Sequence, residues 1–240
     1  MVSKELISRI DAIEPDVVFT FRDLNMAHEA SIAVVKKLNR MVSEGLIMRL
    51  SPGRYYKPKN SLFGTLKPSE EEVVKDLLFK DDVRIGYLTG YSVFNGLGLT
   101  TQVPNVIQIG VNKRKKNTRR GFYDIKFVTQ PNTITEENYR YLQILDAIRY
   151  IKDIPDSDIN SSVRSLLYLF TKFTKDNIDK MMMLVENYNP MTRALTGAII
   201  EKVRPEVKTD RLFSLQHPLT IYKLGISEEI LPTTSKWNLQ

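Results

Sequence analysis

No cysteine occurs among the 240 residues, which removes disulfides, thiolate zinc sites and cysteine nucleophiles together and fits a reducing compartment. Histidine is almost as scarce. Only His28 and His217 are present, neither has a partner at metal-ligand spacing, and no His-x-x-x-His or Gly-x-Ser-x-Gly occurs. No apolar run approaches the roughly 18–20 residues that a membrane span requires. The opening Met1-Val2-Ser3-Lys4-Glu5 lacks the apolar stretch and small-residue cleavage site of a secretory signal. These absences lead to the expectation of a cytoplasmic globular chain without a catalytic residue set, a metal site or a cofactor. At 42% hydrophobic residues the chain can bury the core of one large domain or two modest ones.

Acidic side chains are missing where the basic ones are dense. Residues 136–240 carry 14 bases and 14 acids and cancel, so the net charge of +7 comes from upstream. Residues 31–60 hold seven bases against Glu44 alone, a local net of +6, and residues 113–120 hold six bases and no acid. Clusters this dense are the usual footprint of a polyanionic partner. Neither lies on an amphipathic helix rich in Trp, Phe or Leu, which favours nucleic acid over a membrane surface.

The first sixty residues have a readable order. Leu6, Ile7, Ile10 and Ile13 recur at helical spacing, which predicts a helix over 3–13 that stops before Pro15. Phe19–Leu24 begins a short second helix, with Thr20 as an accepting cap and Asp23 three positions on. A third helix is predicted over 29–44, packing through Val34, Leu38, Met41 and Val42. Its opposite face carries Glu29, Ser31, Ile32, Lys36, Lys37, Asn39 and Arg40, a mixture of long cations and small hydrogen-bonding groups suited to a major groove. Gly45 ends this helix, and Leu46–Leu50, Ser51-Pro52-Gly53 and Arg54–Lys57 read as a hairpin. Three helices followed by a basic hairpin make a winged helix-turn-helix. The expected contacts to double-stranded promoter DNA are Ser31, Lys36, Lys37, Asn39 and Arg40 from the helix, with Arg49, Arg54 and Lys57 gripping the backbone.

Pro58–Pro68 has no clear period and marks a domain boundary, dividing the chain at 1–60 and 61–240. Within that segment Leu62 and Phe63 are expected to pack down. Ser69-Glu70-Glu71-Glu72 is a capping box for a helix through Phe79. Gly86, Gly90, Gly96 and Gly98 crowd thirteen residues, yet neither a dinucleotide nor a Walker order occurs, so glycine-capped close packing is the plainer reading. Asn105–Val111 and Phe122–Val128 alternate as two strands, which places Lys113, Arg114, Lys115, Lys116, Arg119 and Arg120 at a hairpin tip. That tip is either a solvated loop or a second contact to nucleic acid or an acidic partner. Asp124-Ile125-Lys126 has the acid-x-lysine spacing of some nucleases, but no acid stands at short range upstream to complete it. From Thr133 to about 204 four apolar stripes follow: Tyr141/Leu145/Ile148/Ile151, Val163/Leu166/Phe170/Phe173, Ile178/Met181/Val185/Tyr188 and Met191/Leu195/Ala198/Ile199. Met181-Met182-Met183 fits a buried helix or an adaptable binding surface, and Leu219–Tyr222 fits a late strand. The predicted class is α+β: the N-terminal winged helix-turn-helix, then a larger mixed α/β domain ending in a helical bundle.

Four segments in order, Leu38–Ile47, Leu50–Pro58, Tyr87-Leu88-Thr89-Gly90 and Leu97-Gly98-Leu99-Thr100-Thr101-Gln102-Val103-Pro104-Asn105, resemble the AbiEi-type antitoxins of type IV toxin–antitoxin (abortive infection) systems. The first two are common to many winged helices, and the last two are more distinctive. The resemblance implies a nucleotidyltransferase-like toxin as partner, countered through the C-terminal domain, and repression of the shared promoter by the winged helix. Direct binding of the toxin need not follow. The alternative is a ligand-responsive transcriptional regulator in which residues 86–98 wall a metabolite pocket.

Overall fold

The computed structural model describes residues 2–62, 64–102 and 105–240. Phe63, and Val103-Pro104 of the segment quoted above, lie outside the described residues. The chain forms two units, Met1–Asp76 with Arg119–Tyr123, and Leu77–Thr118 with Asp124–Gln240. The expected boundary near residue 60 therefore falls inside the first unit. No helix among the described residues is long and apolar enough to cross a membrane.

In the first unit, α1 (Val2–Asp11) is followed by β1 (Val18–Thr20). The short second helix expected over 19–24 is instead this strand and a single 3-10 turn, Arg22–Leu24. Thr20 does not accept there. Its backbone N–H and its hydroxyl both donate to Asp23 Oδ2, at 2.6 and 2.9 Å, because β1 holds Thr20 extended opposite Arg54. Asn25, left-handed at φ 46°, turns the chain into a second 3-10 turn, His28–Ala30, and α2 (Ser31–Ser43). Gly45, at φ +72°, closes α2: its N–H donates to Val42 O and that of Leu46 to Met41 O, the paired bonds that satisfy a helix's last carbonyls. β2 (Met48–Ser51) and β3 (Arg54–Tyr56) form the expected hairpin, with a bulge between Arg49 and Ser51, and β1 pairs on the far side of β3. Leu6, Ile10, Phe19, Leu24, Val34, Leu38, Met41, Ile47 and Tyr55 make the core of this unit.

A second hairpin follows, β4 (Lys59–Ser61) and β5 (Gly64–Leu66). Leu62 is fully exposed at its tip and does not pack down as expected, since a two-stranded ribbon offers no interior at its turn. α3 (Glu70–Leu78) starts with the predicted capping contact, Glu72 N–H to Ser69 Oγ.

The second unit begins with a tight hairpin, β6 (Phe79–Lys80) and β7 (Val83–Arg84), turned by left-handed Asp81 and Asp82. Along the chain there follow β8 (Gly86–Thr89), α4 (Tyr91–Gly96), β9 (Val106–Val111), β10 (Thr118–Arg120, of which Arg119 and Arg120 count with the first unit) and β11 (Tyr123–Thr129), and the strands are ordered β10-β11-β9-β8. β9 and β11 run parallel, Ile107 opposite Ile125. The basic segment is therefore a crossover between parallel strands and not the tip of the hairpin expected from alternation alone. The real hairpin is β10–β11, joined by two residues, a connection open only to antiparallel neighbours.

Helices α5 (Tyr139–Arg149), α6 (Ile159–Thr171), α7 (Lys175–Val185), α8 (Pro190–Val203) and α9 (Asp210–Ser214) complete the unit, and the four predicted stripes face its core. α8 packs on α5, α6, α7 and α9. It is buried nearly all round, as its small and apolar residues require. Met181 is buried and Met183 is 72% exposed, so the methionine triplet divides across α7. The late strand reduces to one bridge, Tyr222 with Leu239.

A buried polar cluster joins this unit's sheet to its helices. Asp146 of α5, with no exposed surface, accepts from Tyr87 Oη and Thr89 Oγ1 of β8 at 2.7 and 2.8 Å and from Tyr188 Oη at 3.0 Å. Gln130 Nε2 donates to both tyrosine oxygens, at 2.8 and 2.7 Å. Burial raises the Asp146 carboxyl, opposed by the three hydroxyls. Asp146→Leu leaves the buried Tyr87 and Thr89 hydroxyls without their acceptor and Tyr188 with only its longer bond to Leu142 O, and is expected to cost about 3–5 kcal/mol. Tyr188→Phe, which removes one hydroxyl, is expected to cost about 1–2 kcal/mol. Urea unfolding of the C-terminal transition checks both, and equal losses would contradict this account.

Candidate nucleic-acid interface

The sequence places its DNA contacts on α2 and the hairpin after it. On α2, burial of Val34, Leu38 and Met41 turns Ile32, Lys36, Asn39 and Ser43 outward in one row at i, i+4, i+7 and i+11. Arg40 lies beside the row and pairs with Glu44 at 2.7 Å, its side chain still 71% exposed. Ser31 and Lys37 fall on the flanks, half-buried, and are not part of the face as expected, because they lie only about 20° from Leu38 and about 40° from Met41, respectively, around the helix. Two members of the row, Ile32 and Ser43, are not among the contacts expected from the sequence. Ile32 is 71% exposed, an apolar group in the middle of a polar face and of the kind that meets a thymine methyl. The signal that finds both is the helical period from the buried stripe.

Arg49 on β2 is exposed, 5.9 Å from the centre of the Tyr55 ring. The other two expected backbone contacts serve the unit's own fold. Arg54 Nη2 bonds Asp76 Oδ2 at 2.9 Å. Lys57 Nζ donates to the carbonyls of Asp11 and Ile13, at 3.0 and 2.7 Å, satisfying the end of α1. Lys57, expected as a backbone contact, is thus also a helix cap, and Arg54, expected as another, is half of an ion pair.

The 113–120 cluster also divides. Lys113, Arg114, Lys115 and Lys116 are exposed in the crossover, with Lys115 Nζ 5.6 Å from the Phe127 ring centre. Arg119 is exposed and donates to Gly121 O. Arg120 is corrected: it is buried, it donates to Val73 O at 2.8 Å, and it forms a two-pronged ion pair with Asp76. A guanidinium taken out of water needs such a fork of acceptors. Asp76 therefore holds Arg54 and Arg120 together, a role no sequence pattern marks because Arg120 lies 44 positions away. Burial raises the Asp76 carboxyl, but the hydrogen bonds and charges of Arg120 and then Arg54 outweigh it and hold it below the ordinary 3.8.

One other place has the chemistry of a site. The Asp146 cluster is closed to solvent, so no ligand reaches it. Among the described residues no group of three His, Cys, Asp or Glu is placed to hold a metal ion.

These features define an α+β protein with a small N-terminal unit presenting a basic helix and a larger unit that ends in packed helices. The chain belongs to the family of unknown function DUF6088, which matches residues 7–178. No curated protein matches the chain. Among solved structures, the RV2827C protein from Mycobacterium tuberculosis is similar at 12% identity, covering 94% of this chain and 85% of that one with a TM-score of 0.51. At that identity the likeness concerns the fold alone.

A carboxylate held below its unfolded value contributes stability above that value and loses it as pH falls through the folded one. Asp76→Asn is therefore expected to lower stability by about 1 kcal/mol at pH 7, after allowance for screening at this half-exposed carboxylate. The difference from wild type should close as the pH drops below about 3.8. Melting curves from pH 7 to 3 check this, and a difference independent of pH would contradict it.

Proposed function

We propose that the N-terminal unit is a winged helix-turn-helix that binds duplex DNA, and that the protein is an antitoxin of the AbiEi type. In this reading it represses its own operon and counters a nucleotidyltransferase-like toxin encoded beside it. The observation that carries the DNA reading is the outward row of α2. Lys36 and Asn39, with Arg40 alongside, face solvent on a helix whose other side is fixed against the core. The β2–β3 hairpin follows that helix in the order a wing does, with exposed Arg49 on it. Asn39 and Arg40 are of the types that bond adenine and guanine edges, Lys36 and Arg49 of the types that hold phosphate. Arg54 and Lys57 carry less of the binding, being occupied within the fold.

The antitoxin half rests on the resemblance of Tyr87–Gly90 and Leu97–Asn105 to that family. Countering the toxin does not require a stable complex with it.

One experiment separates the two halves. Cells express the neighbouring gene with full-length wild-type protein or with Lys36→Ala/Arg40→Ala, and each protein is titrated against a labelled fragment of the upstream DNA. The double variant is expected to lose roughly tenfold or more in affinity, with a shallower salt dependence, from the loss of about 1–3 kcal/mol per base contact. It is expected to rescue growth as well as the wild type. Unchanged DNA affinity would remove α2 from the interface, and a harmless neighbouring gene would remove the antitoxin half.

A further inference from the structure

The glycine-rich stretch 86–98 lies outside the unit that carries α2, and its end forms one wall of a cleft of about 520 Å3 in the C-terminal unit. Gly96, Leu97 and Gly98 make that wall, and one face of α6 with its cap makes the other, with Arg164, Tyr168 and Lys172. These three stand at i, i+4 and i+8, one row about 12 Å long. Tyr168 is 67% exposed, and Lys172 Nζ lies 4.7 Å from its ring centre. Neither Arg164 nor Lys172 has a carboxylate at ion-pair distance among the described residues. A Cβ placed on Gly96 or Gly98 would meet nothing within 4 Å, and Leu97, partly buried against the core, is the one side chain of that wall. Gly98, at φ +68°, is in a conformation that glycine favours.

An open aromatic ring with a cation on either side of it along α6, opposite a wall of two glycines and Leu97, is complementary to a flat π-rich group that carries negative charge. We propose that this cleft binds a nucleotide, its base stacked on Tyr168 and its phosphate held by Arg164 and Lys172. Stacking on an aromatic ring is tolerant of base identity because every base has a π-face, whereas selectivity needs donors and acceptors set against the base edge. Guanidinium and ammonium groups supply the charge that phosphate requires. The proposal is independent of the DNA reading, whose residues lie in the other unit.

The test is calorimetric titration of the full-length protein with AMP, GMP, CMP and UMP, and with inorganic phosphate and adenosine as single-moiety probes. All four nucleotides are expected to bind saturably, with dissociation constants within about tenfold of one another, and both probes more weakly. Tyr168→Ala is expected to weaken binding by about fivefold to a hundredfold, the range that base stacking supplies, with Tyr168→Phe close to wild type. Arg164→Ala/Lys172→Ala is expected to weaken binding and flatten its dependence on salt. These are exposed side chains, so thermal midpoints should stay near wild type and separate lost binding from lost fold. Absence of saturable binding by all four nucleotides, unchanged affinity in Tyr168→Ala, or inorganic phosphate binding as tightly as AMP would each overturn the proposal.

Discussion

Three hydroxyls converge on one buried carboxylate, and the C-terminal unit is organised around that convergence. Asp146 lies on α5, two of its donors on β8 and the third just beyond α7. A sheet edge, a helix and a helix end are thereby fixed to the same two oxygen atoms. Hydrophobic contacts hold those elements together without direction, and a half-satisfied acid in the same place would cost more than an apolar side chain. Gln130 closes the arrangement by donating to both tyrosine oxygens, and Asn132 N–H in turn donates to Gln130 Oε1 at 2.9 Å. The register of β8, the rotation of α5 and the end of α7 are consequently one decision. A slip of one residue in the strand would turn Tyr87 and Thr89 away together.

The N-terminal unit meets a different constraint, an excess of positive charge on a small body. It divides its cations into two groups. Arg54 and Arg120 share Asp76, and Lys57 caps α1, so these charges are consumed in holding elements in place. Lys36, Arg40 and Arg49 remain at the surface with their solvation largely intact. Arg40 is paired only with Glu44 of its own helix, its side chain 71% exposed, whereas Arg54 and Arg120 are tied to a carboxylate on another element. Local charge density points to a polyanion but does not tell the committed cations from the free ones.

Several elements were legible in the residues themselves. The stripe of Val34, Leu38 and Met41, the stop at Gly45, the hairpin turned at Pro52-Gly53, the Ser69 cap and the four C-terminal stripes all arise from interactions within a few positions along the chain. The misreadings share a cause. The Phe19–Leu24 segment has a helix-like cap sequence but is drawn extended by pairing with β3. Alternation marked β9 and β11 but carries no information on direction, so a parallel crossover was read as a hairpin. Leu62 is apolar, but the two-stranded ribbon that carries it is too thin to bury it.

By itself the sequence determined what short-range physics determines: the apolar periods, the helix ends, the turn glycines, the excess of bases in 31–60 and 113–120, and the chemistry closed off by the absence of cysteine. Those follow from backbone sterics and side-chain spacing over a turn or two. Tertiary structure alone decided the partners across long intervals: Asp76 with Arg120, Asp146 with Tyr87 and Tyr188, and the glycine wall with Tyr168. Each of these depends on two distant segments being desolvated against each other. The free energy of such a contact belongs to neither segment before they meet, and so no local pattern records it.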